Sequence, residues 1–134
     1  MAYMNARLKL AGVALVAGTA VLAMQSPALA AATGHPIDGT CYESGSWFRS
    51  SNVRTLSSGS TSVRVSFSTT PSKGLAFYIN NYNTGAGYAT IFAPPTGTQT
   101  LASGLRAGTQ FQNNFRLQTA GHQDNYSFSG SETY

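Results

Sequence analysis

The chain is poor in the residues that most catalytic and metal-dependent chemistry needs. Its 134 residues include one cysteine, two histidines and four acidic side chains, and charged residues make up only 9%. A lone Cys41 rules out an intrachain disulfide framework and any multi-cysteine zinc site. There is no HExxH and no Asp-rich calcium loop. His122 and Asp124 are two potential ligands two residues apart, with no visible third, so no metal site is expected. Phosphate-loop and dinucleotide fingerprints are missing as well, and no cofactor is expected.

Hydrolytic constellations are equally sparse. A serine hydrolase needs a base within hydrogen-bond reach of its nucleophile. His35 and His122 are the only histidines, and no G-x-S-x-G occurs: the serine-glycine stretches read ESGSW, SSGSTS and FSGSE. A glycosidase needs two carboxylates, and the chain offers Asp38, Glu43, Asp124 and Glu132. Glu43 and Glu132 could face each other across a sheet, but exposed charge-balancing carboxylates are the simpler reading. The chain is therefore read as non-enzymatic, with a hydrolase through His122 and Asp124 as the remote alternative.

Long apolar runs are confined to the start. Arg7 and Lys9 precede an uncharged run over residues 10–24, LAGVALVAGTAVLAM. Gln25-Ser26-Pro27 breaks the run, and Ala28-Leu29-Ala30 supplies a small-x-small cleavage pattern, with a second possible cut after Ala32. The run is short of the roughly 20 residues a spanning helix requires. Residues 1–30 are expected to be a cleaved signal peptide, leaving a secreted, extracellular protein with no membrane association. Residues 31–39 are expected to form a flexible tail that contains His35, and residues 40–134 a single domain. The basic side chains outside the leader are Arg49, Arg54, Arg64, Lys73, Arg106 and Arg116, set against four acids. They are scattered rather than clustered, which argues against a nucleic-acid partner despite a sequence pI of about 9.5. Cys41 is read as a small buried apolar residue or, failing that, as a thiol that pairs between chains.

What the remainder does have is a period of two. Val63, Val65 and Phe67 alternate with Arg64, Ser66 and Ser68. Phe111, Phe115 and Leu117 alternate with Gln112, Asn114 and Arg116, and Tyr126 and Phe128 alternate with serines. Successive side chains of a strand point to opposite faces, so this pattern marks strands with one dry face. Residues 75–79 (LAFYI) and 88–93 (YATIFA) are apolar throughout and read as buried strands, joined as a hairpin through residues 83–87. Residues 40–48 read as an early strand interrupted at Gly45. Turn chemistry separates the runs, as in Thr70-Pro71-Ser72-Lys73-Gly74 and Ala93-Pro94-Pro95-Thr96-Gly97. The expected fold is all-β, a single antiparallel β-sandwich of about seven strands. The two closing runs are expected to pair, with His122 and Asp124 at the tip between them. Glu132 falls in phase with Tyr126, Phe128 and Tyr134, so the last strand either ends near Gly130 or opens at Glu132.

The remaining chemical signal is aromatic and amidic. In residues 76–83, AFYINNYN, Tyr78, Asn80 and Tyr82 share one face. Tyr88 follows the loop, and Trp47 with Tyr42 could add a platform. Flat rings pack on the apolar faces of sugars and amides meet their hydroxyls. Trp47, Tyr78, Asn80, Tyr82 and Tyr88 are therefore the candidate binding residues, the competing reading being that the rings are core or cross-strand pairs.

Leu105, Gly108, Thr109, Phe111, Phe115 and Leu117, followed by Phe128-Ser129-Gly130 and Tyr134, resemble the closing segments of small secreted actinobacterial β-sandwich proteins without assigned activity. The resemblance covers about a quarter of the chain and its motifs are those of β-structure. It implies an exported β-sandwich and carries over no catalytic residue. The function expected is a binding or structural role at the cell wall or in the medium, with cell-wall or other polysaccharide as partner and a monomeric state. The rival is a secreted inhibitor or toxin that meets an extracellular protein through residues 83–87 or 56–62.

Overall fold

A computed structural model describes residues 34–94 and 97–134. The leader, its cleavage points and the Pro95-Thr96 part of one expected turn lie outside the described residues. Nine strands are present among those described: β1 (Gly34–Thr40), β2 (Phe48–Arg49), β3 (Arg54–Thr55), β4 (Val63–Thr69), β5 (Leu75–Asn81), β6 (Ile91–Ala93), β7 (Gln99–Ala102), β8 (Gln110–Leu117) and β9 (Ser127–Thr133). They form two antiparallel sheets. One has the order β1-β9-β4-β7; the other has the order β2-β8-β5-β6, with β3 also on β8. The β-sandwich anticipated from the period of two is the observed architecture.

The core lies between the sheets and is built from the alternating positions. Val63 and Val65 of β4, Leu75, Phe77 and Ile79 of β5, Phe111, Phe115 and Leu117 of β8, and Phe128 of β9 are all buried. Its centre is aromatic. Phe128 stands edge-on to Phe115, Phe77 and Phe67, with ring centroids 4.7, 5.9 and 5.9 Å away. Edge-to-face pairs of this kind add about 0.5–1.5 kcal/mol each beyond the area they bury. Two glycines let the backbones come close enough. A Cβ on Gly39 would lie 2.7 Å from the Phe128 ring and 2.8 Å from that of Phe115; one on Gly130 would strike Ser66 O and sit 2.9 Å from Phe67 Cα.

Several expectations change. Residues 34–39 are not a tail: β1 pairs with β9 along its whole length, from Gly34 opposite Thr133 to Thr40 opposite Ser127, and Ile37 is buried. The stretch carries Pro36 and two glycines, which hides a strand, but as an edge strand β1 can spare the N–H that Pro36 lacks. The strand expected over residues 40–48 is the end of β1, a turn closed by Gly45 N donating to Tyr42 O, and the beginning of β2. Of the run 88–93 only β6 is strand, and Phe92 is 52% exposed. The β8 and β9 runs do not pair with each other. They belong to different sheets, and residues 118–126 cross between them. That crossing is held by amides. Gln123 Oε1 accepts from Lys73 N at 3.1 Å, and Asn125 Nδ2 donates to Thr70 O and Ser127 O at 3.0 and 2.9 Å.

Glu132 is the largest departure. The strand continues through it, and its side chain is fully buried between the sheets. Arg54 Nε of β3 lies 3.0 Å from Glu132 Oε2, and Asn113 Nδ2 of β8 donates to the same oxygen at 3.1 Å. His35 is its neighbour on β1, and Tyr134 follows it, stacked on His35 with centroids 4.2 Å apart. Burial disfavours the carboxylate, the hydrogen bond from Asn113 and the charge of Arg54 favour it, and burial prevails: the Glu132 carboxyl is pushed up to about 7. Glu132 Oε1 and Asn113 Oδ1 are both buried acceptors without a donor. Cys41, by contrast, is plain core, its thiol raised to about 11 by burial.

Because the folded state holds the Glu132 proton more tightly than the ordinary value of 4.5, its contribution is full below about pH 4.5 and is lost as pH rises through about 7. Urea denaturation between pH 4.5 and 8 should show stability falling by an amount on the order of 3 kcal/mol. Glu132→Gln should flatten most of that slope, and a variant with the wild-type slope would remove the assignment. A second prediction concerns Cys41: a thiol reagent at pH 8 should label it only in denaturant, at a rate that tracks unfolding.

Candidate functional site

Each strand of the five-stranded sheet that sends Phe77 or Phe115 inward must send its alternate residues outward. On β5 those are Ala76, Tyr78 and Asn80, and on β8 Gln112, Asn114 and Arg116. The register sets them in rows, with Ala76 beside Arg116, Tyr78 beside Asn114 and Asn80 beside Gln112. On the flanking strands Phe92 stands next to Ala76 and Arg49 next to Asn114. Trp47, one residue before β2, lies over this face. Its indole meets the Tyr78 ring edge-on at 4.9 Å, and the Arg116 guanidinium sits over it with Cζ 4.9 Å from the ring centroid.

Trp47, Tyr78 and Arg116 form a connected aromatic and cationic cluster on this face, and Phe92 stands apart from it beyond Ala76. Trp47 is 43% exposed and Phe92 52% exposed, while Tyr78 and Arg116 are half-buried. A polar ladder lies beneath. Arg49 Nε donates to Asn114 Oδ1 at 3.0 Å, Asn114 Nδ2 to Asn80 Oδ1 at 2.7 Å, and Asn80 Nδ2 to Asn81 O at 3.1 Å. Gln112 Nε2 donates to Ser50 O at 3.0 Å, fixing the segment that follows Trp47.

The residues singled out from the sequence divide accordingly. Trp47 and Tyr78 are brought into contact. Tyr82, exposed, follows Asn80 with its backbone N–H donating to Gln110 O at 2.9 Å. Asn80 is on the expected face but buried, so it braces the surface rather than meeting a ligand. Tyr88 N donates to Ile79 O, which puts it in phase with Ile79, and its ring packs against the core instead of joining Tyr78. Phe92, Arg49, Asn114 and Arg116 were not singled out. The alternation of β8 marks Asn114 and Arg116 as outward. No local pattern reveals that Trp47 lies over them.

The other candidates stay apart. His122 is almost wholly exposed and faces only Glu43, with Nδ1 3.8 Å from its carboxylate. Among the described residues no serine or cysteine is hydrogen-bonded to it, and no group of three metal-ligating side chains occurs. Glu43 is exposed in a loop and Glu132 is enclosed between the sheets, so they do not form a facing pair. Asn125, the acceptor position of an N-x-S motif, spends its amide on the two backbone carbonyls of the crossing.

Comparison with protein-family models, curated proteins and solved structures yields no match.

Asn80→Ala should lower stability by about 1–3 kcal/mol, because it removes the closer of the two acceptors of the buried Asn114 amide and leaves one N–H unpaired. Tyr82→Ala should change stability by less than about 0.5 kcal/mol. Urea titration of both variants checks this, and equal losses would contradict the distinction between brace and surface.

Proposed function

We propose that the protein is an exported, non-catalytic carbohydrate-binding domain whose contact surface is the outer face of the five-stranded sheet. The observation that supports this best is the Trp47–Tyr78 pair, an exposed indole held at right angles to a tyrosine, with a second exposed ring, Phe92, on the same face. A sugar ring has an apolar face of C–H groups and a rim of hydroxyls. A rigid exposed ring provides area for the first at low cost in side-chain entropy. The half-buried Tyr78 and the nearby Arg49 and Arg116 offer hydrogen bonds to the second. The platform stands on paired strands and a satisfied amide ladder, so little ordering is needed on binding. Export to the cell wall or medium agrees with the leader read in residues 1–30 and puts the domain where polysaccharide is abundant.

The purified domain should be retained on at least one of chitin, cellulose, peptidoglycan or a soluble polysaccharide. Trp47→Ala should weaken that retention at least tenfold, equivalent to about 1.4 kcal/mol. His122→Ala should leave it unchanged. Failure to bind any glycan, or full binding by Trp47→Ala, would count against the role.

A further inference from the structure

We propose that the carbohydrate this face takes is acidic, a glycan whose sugar rings carry carboxylates, held by the guanidinium of Arg116 with Arg49 beside it. This rests on the glycan-binding reading above and names the class of ligand within it.

The charge on the face is of one sign. Arg49 and Arg116 both project outward from the five-stranded sheet, beside and two residues beyond Asn114 on β8. None of the four acids is on that sheet. Asp38 lies on β1 of the opposite sheet, Glu132 is enclosed between the sheets, and Glu43 and Asp124 are in connecting loops. The ion pairs among the described residues are Arg54 with Glu132 and His122 with Glu43, so neither Arg49 nor Arg116 is neutralised.

Arg116 is also incompletely bonded. Its Nη1 reaches only Leu117 O, at 3.4 Å, and its Nε is buried without an acceptor. The Trp47 ring lies against the guanidinium, and with Nε buried the Nη groups are the edge left to meet a ligand. A carboxylate matches that edge with two parallel hydrogen bonds. The same placement sets the charged group of an acidic sugar beside Arg116 while its apolar ring face rests on Trp47 or Phe92.

The test uses polygalacturonate, the same polymer fully methyl-esterified, and inorganic polyphosphate as probes in titration calorimetry at low and high salt. Esterification removes the charge and keeps the rings, so this arm requires no variant. Polygalacturonate should bind at least tenfold more tightly than its ester. Arg116→Gln should lose at least tenfold, and Arg116→Lys, which keeps the charge but not the fork, should recover only part of it. Arg64→Gln, on the outer face of the other sheet, should bind as wild type. Equal affinity for acid and ester, with Trp47→Ala weakening both, would leave the glycan-binding role standing and overturn the acidic preference. Equal losses from Arg64→Gln and Arg116→Gln would mean diffuse attraction between a cation and a polyanion, and would overturn it too. Preference for polyphosphate would overturn the carboxylate assignment. Binding to none of these probes, nor to any neutral glycan, would remove both readings.

Discussion

The packing of Phe67, Phe77, Phe115 and Phe128 between the sheets is the constraint on which the remaining structure depends. No disulfide joins the layers among the described residues, and Cys41 is unpaired and buried. The sandwich is closed without a covalent link, and these four rings, from β4, β5, β8 and β9, form the apolar contact that reaches across it. Once Phe77 and Phe115 point inward, the two-residue period leaves no choice about Tyr78, Asn114 and Arg116. The outer surface is thus a consequence of the core. Gly39 and Gly130 belong to the same constraint, since a methyl group at either would push apart backbone or rings that must touch.

Along the sandwich from this aromatic centre the interior becomes polar. Glu132, Asn113 and Arg54 occupy positions that the alternation assigns to the core and tie β9 to β8 and β3, across the two sheets. A buried ion pair gains little over a well-packed apolar equivalent, because desolvation offsets the attraction. The rise of the Glu132 carboxyl to about 7 expresses the same balance. What the cluster does provide is register. Shifting β9 by one residue would bring Ser131 or Thr133 inward and leave Arg54 facing no carboxylate.

The residues that declared themselves in the sequence are those governed by local rules. The alternation over residues 63–68 and 110–117 corresponds to β4 and β8, and the hairpin between β5 and β6 follows from a run of small and turn-forming residues. What stayed hidden depends on distant partners. β1 is a strand only because β9 offers a seven-residue edge, and its Pro and Gly content masks this. Glu132 was in phase with the inward positions, and only its charge argued against burial; Arg54, far away in sequence, is what makes the inward position tolerable. Tyr88 and Tyr78 are both tyrosines near one loop, and composition does not separate them. The facing of Tyr88 is set by the bridge that pairs Asn80 with Gly87, a register the turn fixes and composition does not. Trp47 stands out in the sequence as the single tryptophan, but its neighbour Arg116 comes from a strand nearly seventy residues later.

The two faces of the molecule diverge for a related reason. The outer face of the four-stranded sheet is lined by hydroxyls that satisfy one another, as in Ser68 with Ser129 at 2.9 Å and Thr40 with Ser127 at 3.2 Å. Such a surface is polar and presents no large exposed apolar ring, so water covers it at little cost. The outer face of the five-stranded sheet is the opposite case. It exposes Trp47 against the Arg116 guanidinium, with Phe92 also exposed on the far side of Ala76. Isolated exposed rings are common on monomers and need no explanation. A ring held in fixed geometry against a cation with no ion-pair partner is different, since both the apolar area and the charge would gain by contact with a third body. That asymmetry, on one scaffold and under one core, is the physical ground for assigning binding to this sheet rather than to the loops.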